Sequence, residues 1–140
     1  MPIDEKLISR KITLINNDLK SLRALSNLSL KTYLSKTEYE ALAERYLERI
    51  IGRMIDINYH ILSENENKIP TDFYNSFIML GRKKYLPIKL ADVMANSAGL
   101  RNRLAHEYDE IDAAKVFEAM KSCLKDVPKY LKNIVKSLDL

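Results

Sequence analysis

At 140 residues with 46% apolar content, the chain has the size and the material for one continuous core. Three glycines and four prolines are too few for the many tight turns of an all-β fold, and a net charge of +4 is too small for a surface coated in nucleic acid. The lone cysteine, Cys123, excludes an internal disulfide and fits a reducing compartment, and no run approaches the ~18 apolar residues of a membrane span. The expectation is one all-α domain over residues 1–140, soluble and cytoplasmic, with Cys123 as a buried structural thiol.

The first element runs from Asp4 to Leu25, where Leu7, Ile8, Ile12, Ile15, Leu19 and Leu22 recur at spacings of three and four. A serine-rich link follows, and Ser35 or Thr37 can cap the next helix. That helix, about Thr37 to Ser63, sorts its residues into two stripes. Ala43, Leu47, Ile50, Ile51, Met54 and Ile61 are apolar; Arg45, Arg49, Arg53, Asp56 and His60 are polar. Gly52 lies inside it at a cost of about 1 kcal/mol relative to Ala, which suggests close packing against another backbone.

The polar run Glu64 to Lys68 and Pro70 end this helix, and Thr71-Asp72 opens a short one that Gly81 stops. After Arg82-Lys83-Lys84, Pro87 begins a further helix that carries the run Arg101-Asn102-Arg103-Leu104-Ala105-His106-Glu107-Tyr108. Asp112 caps the last helix, which Pro128 should kink or divide before Tyr130 to Leu138. The sum is a four- to five-helix up-and-down bundle.

One of only two histidines, His106, lies among Arg101, Asn102, Arg103, Glu107 and Tyr108. Histidine moves protons near neutral pH and arginine carries a planar fork matched to phosphate oxygens, so the cluster suits phosphodiester cleavage. Asn102 and His106 share a helix face, as do Arg101 and Tyr108, but Arg101 and His106 diverge by roughly 140°. Either Arg101 reaches around, helped by an irregularity at Gly99, or the site combines two subunits. Spacing alone favours the plainer reading of a hydrogen-bonded His106, solvated Arg101 and Arg103, and a half-buried Tyr108 ring with its hydroxyl in water. Asp56 and His60, one turn apart, read as a structural ion pair, a support for the site, or half a metal site, with structure favoured.

The run R-N-R-L-A-H-E-Y followed by D-E-I-D resembles the R-x(4)-H-x-Y signature of the HEPN superfamily, in particular its HepT-like toxin branch. The likeness extends to Arg45, Asp56 and His60, while Gly52 departs from it where an acidic residue is expected. The resemblance implies a HEPN-like bundle and the toxin of a type VII-like toxin–antitoxin system: a metal-independent endoribonuclease in which the RNA 2′-hydroxyl attacks the adjacent phosphate. His106 would be the general acid or base, Arg101 would hold the developing charge, Asn102 would orient the phosphate or His106, and Arg103 would add charge. It also implies a homodimer that joins two motifs across a cleft, no cofactor and no bound metal. A minimal nucleotidyltransferase antitoxin would neutralise it by adenylylating Tyr108. The alternative keeps the fold as a non-catalytic module binding a nucleotide or protein. A helical DNA-binding or scaffold protein using Arg82-Lys83-Lys84 is a third reading, although no helix-turn-helix signature supports it.

Overall fold

The computed structural model describes residues 2–140, which form helices joined by short turns. In chain order these are α1 (Glu5–Ser26), α2 (Leu30–Leu34), α3 (Thr37–Glu66), α4 (Phe73–Arg82), α5 (Ile88–His106) and α6 (Ala113–Leu138), with a 3₁₀ turn at Tyr108–Glu110. The five longer helices make the expected bundle: α1 packs on α3, α3 on α4 and α5, α4 on α5, and α6 closes against α1, α3 and α5. No helix among the described residues is long and apolar enough to cross a membrane.

The i, i+3, i+4 pattern buries what it should. The whole predicted α3 stripe lies in the core, facing Ile8, Ile15, Leu19 and Leu22 of α1 and Val116, Met120, Val127, Tyr130 and Ile134 of α6. Each such aliphatic side chain contributes about 1.5–3 kcal/mol of transfer free energy. Leu7, at the open end of α1, stays exposed. One polar chain threads this core. Tyr130, on α6, donates its hydroxyl proton to Oδ1 of Asn58 on α3; Asn58 Nδ2 donates to Ser76 Oγ at 3.0 Å; and Ser76 Oγ donates to the Phe73 carbonyl at 2.7 Å. Tyr130, Asn58 and Ser76 are completely buried, and burial holds the phenol well above its ordinary pKa, so it remains a donor.

Several expectations are corrected. The serine-rich link contains α2, capped by Ser29, whose Oγ accepts from the Thr32 amide. Neither Ser35 nor Thr37 caps α3; its N-cap is Lys36, without a side-chain bond, and Thr37 turns to Glu38 instead. Gly81 does not stop α4, which runs to Arg82, and the left-handed residue in the following turn is Lys84, at φ 69°. Gly81 is needed for proximity: a Cβ there would sit 2.7 Å from Cβ of Ala91 on α5. Gly52, by contrast, meets nothing within 4 Å, so no backbone packs against it. Pro128 does not divide α6, because Val127, Tyr130, Leu131 and Ile134 anchor both sides of it in the core, offsetting a lost hydrogen bond. Cys123 is only partly exposed, and burial, with Asp126 beside it, pushes its thiol up to about 12.

The two glycines have opposite sensitivities. In urea denaturation, Gly52→Ala should stabilise by about 0.5–1 kcal/mol through helix propensity, whereas Gly81→Ala should destabilise by about 1–3 kcal/mol through overpacking against Ala91. With its thiolate form suppressed, Cys123 should resist iodoacetamide at pH 8 in the folded chain and react once urea unfolds it.

Candidate active site

The motif occupies the last turns of α5 and the step beyond it. Helix α5 is continuous from Ile88 to His106, so Gly99 introduces no break; instead Gly99 leaves room for Arg103, whose Nη1 would lie 3.6 Å from a Cβ there. The helix ends earlier than expected. Glu107 leaves helical geometry at φ −123°, ψ 35°, and its amide still bonds to the Arg103 carbonyl at 2.8 Å. Tyr108 therefore begins the 3₁₀ turn and does not share a helical face with Arg101. The approaching Asp112 cap, whose Oδ1 accepts from Ala114 N at 2.9 Å, redirects the chain into α6.

Five residues apart on a continuous α5, Arg101 and His106 leave the helix roughly 140° apart in ideal geometry. The Arg101 guanidinium lies 5.3 Å from the centroid of the Phe73 ring, at the first turn of α4, and Tyr59 of α3 meets that ring edge-on at 6.1 Å. An aromatic face under a guanidinium holds it without consuming its N–H donors, which stay free for an anion. His106 and Asn102 are exposed, one turn apart, and among the described residues neither side chain has a hydrogen-bond partner. Tyr108 is 68% exposed, not half-buried. Arg103 is exposed beside a separate hollow toward Glu107 and Lys115 of α6.

Arg101 opens onto a cavity of about 260 Å³ lined also by Arg49, Gly52, Arg53, Ile55, Asp56 and Phe73. Arg49 and Arg53 were legible only as part of a polar stripe; their spacing of four is the signal that places both on one face. Both are held by Asp18 of α1, 4% exposed, with Arg49 Nη2 3.1 Å and Arg53 Nη1 2.7 Å from its two carboxylate oxygens. The missing side chain at Gly52 leaves the floor between them open. Asp18 neutralises one of the three guanidiniums and Asp56 is engaged by Lys11 at 2.9 Å, so the cavity keeps a positive surplus fit for a phosphate group.

The stripe on α3 is thus mainly its seam with α1. Asp56 and His60 do not pair with each other: Asp56 takes Lys11, and His60 Nε2 accepts the Asp4 backbone N–H at 3.0 Å. Asp56 reaches the Arg101 cavity, whereas His60 lines a different hollow near Leu7 and Ile69. Among the described residues no group of three or more His, Cys, Asp or Glu side chains gathers as metal ligands would.

A family model described as ribonuclease HepT-like matches residues 15–134. The chain is similar to a tRNA nuclease HepT of Aphanizomenon flos-aquae, 40% identical over 132 residues that cover 94% of this chain and 90% of that one. It is also similar to an mRNA nuclease HepT of Shewanella oneidensis, 28% identical over 91 residues covering 65% and 68% respectively. In three dimensions it matches the tri-AMPylated Shewanella oneidensis HEPN toxin in complex with MNT antitoxin, with a TM-score of 0.83 and 23% identity over 91% of this chain and 96% of that one. At that identity the structural likeness is one of fold.

The arginine cradle gives a stability test. Asp18→Ala should cost about 3 kcal/mol in urea denaturation, because two guanidiniums lose their buried counter-charge. Replacing Arg49 and Arg53 with Met in the same chain should recover much of that loss; no recovery would mean that Asp18 acts through packing alone.

Proposed function

The chain belongs to the ribonuclease HepT-like family, and from that premise we propose that it is the RNA-cleaving toxin of a toxin–antitoxin pair. The observation that carries the reading is Arg101, stacked on Phe73 at the mouth of an arginine-lined cavity, within a motif that leaves His106, Asn102 and Tyr108 exposed. Relatives named as a tRNA nuclease and an mRNA nuclease support RNA as the substrate class.

In this reading the RNA 2′-hydroxyl attacks the neighbouring phosphorus, its proton passes to a base, and the 5′-oxygen leaves with a proton from an acid. The product carries a 2′,3′-cyclic phosphate. No metal is required, since His106 supplies the proton transfers and Arg101 offers N–H donors to the non-bridging oxygens as charge builds there. Asn102, one turn before His106, orients the imidazole or the phosphate, and Arg103 adds positive charge on the approach. Asp56 supports the site only through the cavity it shares with Arg101, and His60 belongs to the α1–α3 seam.

Because Arg101 and His106 leave a straight helix roughly 140° apart, one copy does not aim both at a single phosphate. A homodimer that sets the motif of one copy against the other answers this: each phosphate would meet an arginine and a histidine from different copies. Tyr108 is the control point. An MNT-type partner would transfer AMP from ATP: the Tyr108 oxygen attacks the α-phosphorus, pyrophosphate departs and the phenolic proton is released. The exposed ring makes this transfer accessible, and the new phosphodiester would compete with RNA for Arg101 and its partners.

The test is RNA cleavage with EDTA present. Wild type should cut; Arg101→Ala should lose about 10²–10³-fold and His106→Ala about 10²–10⁴-fold in kcat, with dimer mass and helicity preserved. Tyr108→Phe should cut normally and escape neutralisation by the partner with ATP. Inactivity of unmodified wild type would move the assignment to a non-catalytic binding module, and dependence on added metal would refute the mechanism.

A further inference from the structure

At the end of the bundle away from the motif, the start of α5 and the second half of α6 border a groove of about 680 Å³. Lys125, Lys129, Lys132 and Lys136 line its α6 wall, Lys89 stands across on α5, and Asp126 is its only acidic residue. The α6 lysines recur at spacings of four, three and four, which puts them on one face over about 16 Å of helix. All five are exposed, and none makes an ion pair among the described residues. Their charge, less Asp126, equals the whole +4 of the chain, so the remaining surface is neutral on balance.

The groove adjoins hollows that reach the motif end. Val93 and Asp126 also border an apolar hollow of about 310 Å³, and that hollow shares Leu100 and Ala119 with the one that Arg103 lines. Adjoining hollows therefore border α5 from Lys89 to Arg103, about 20 Å at the helical rise.

We propose that this lysine groove is a docking track for the phosphate backbone of RNA, holding the strand away from the motif while a neighbouring phosphate reaches the motif end past Arg103. The proposal rests on the RNA-cleaving reading above. The chemistry favours a backbone over the other polyanions. Lysines are mobile point charges that follow a run of phosphates without reading bases. The α6 lysines form a line of charge about 16 Å long, which matches successive phosphates of one strand better than the two-dimensional array of a lipid surface, and the lining offers no arginine fork or aromatic ring for a defined acidic peptide.

The experiment measures binding in the His106→Ala chain, so that RNA is not consumed, by anisotropy of a fluorescein-labelled single-stranded oligoribonucleotide across a salt series. Lys129→Gln with Lys132→Gln should raise Kd roughly tenfold and make the slope of log K against log salt shallower by about 0.7 per lost phosphate contact. A charge-matched control on α1, Lys20→Gln with Arg23→Gln, should leave both unchanged. In a chain with its native His106, the α6 pair should raise KM and spare kcat. Equal effects from both pairs would reduce the groove to bulk charge and overturn the proposal. So would unchanged RNA binding alongside lost binding to phosphatidylserine vesicles or polyglutamate. If wild type binds RNA through these lysines yet never cleaves it, the groove stands and the enzyme reading falls.

Discussion

A hydroxyl buried in the middle of a helical core is costly to leave without an acceptor, and at Tyr130 the acceptor it finds ties three helices together. Its partner, Asn58, is equally buried and has donors of its own to satisfy, which Ser76 takes up before passing its proton to the Phe73 carbonyl. Apolar packing fixes which faces of α6, α3 and α4 meet but specifies their exact register only loosely. A fully satisfied polar chain removes that freedom, because any other register strands donors at about 1–3 kcal/mol each. The chain ends on the residue whose ring carries Arg101. Core specificity is thereby transmitted to the motif.

Charge is managed differently on the other side of α3. Asp18 is buried where a carboxylate is costly, and two arginines compensate it while remaining partly open to the cavity. The arrangement keeps long, flexible side chains fixed near Arg101. It also explains why α1, which contributes no motif residue, matters to the site: Asp4, Lys11 and Asp18 each engage a member of the α3 stripe.

Much of this was legible from periodicity. The all-α bundle, the apolar stripe of α3, the Asp112 cap and the motif's position near the end of α5 follow from spacing and cap chemistry. What escaped was of two kinds. Short elements escaped because five residues, as in α2, carry too little pattern. Tertiary relations escaped because one strand of text does not say which helices meet. Gly52 and Gly81 look alike in sequence, and only the approach of Ala91 makes one indispensable for packing. Likewise Arg49, Arg53 and Phe73 gain meaning beside Arg101 only when α3, α4 and α5 are brought together. Tyr108 was misjudged by extending an ideal helix past Glu107, where the chain had already turned toward Asp112.

The hairpin of α4 and α5 carries Phe73 at its start and Arg101 near its end, with the Gly81–Ala91 contact close to the turn between them. That turn is tied on two sides: Tyr85 donates its hydroxyl proton to Glu66 at 2.8 Å, and its carbonyl accepts from Ser137 Oγ at 2.9 Å. Surface loops ordinarily tolerate insertions and deletions. Here a single added or removed residue would shift α5 against α4 by one position, turning Arg101 about 100° off the ring that supports it. The length of the Lys83–Pro87 connection thus sets the aim of a motif it never touches, whereas its composition is free wherever the Tyr85 contacts are kept.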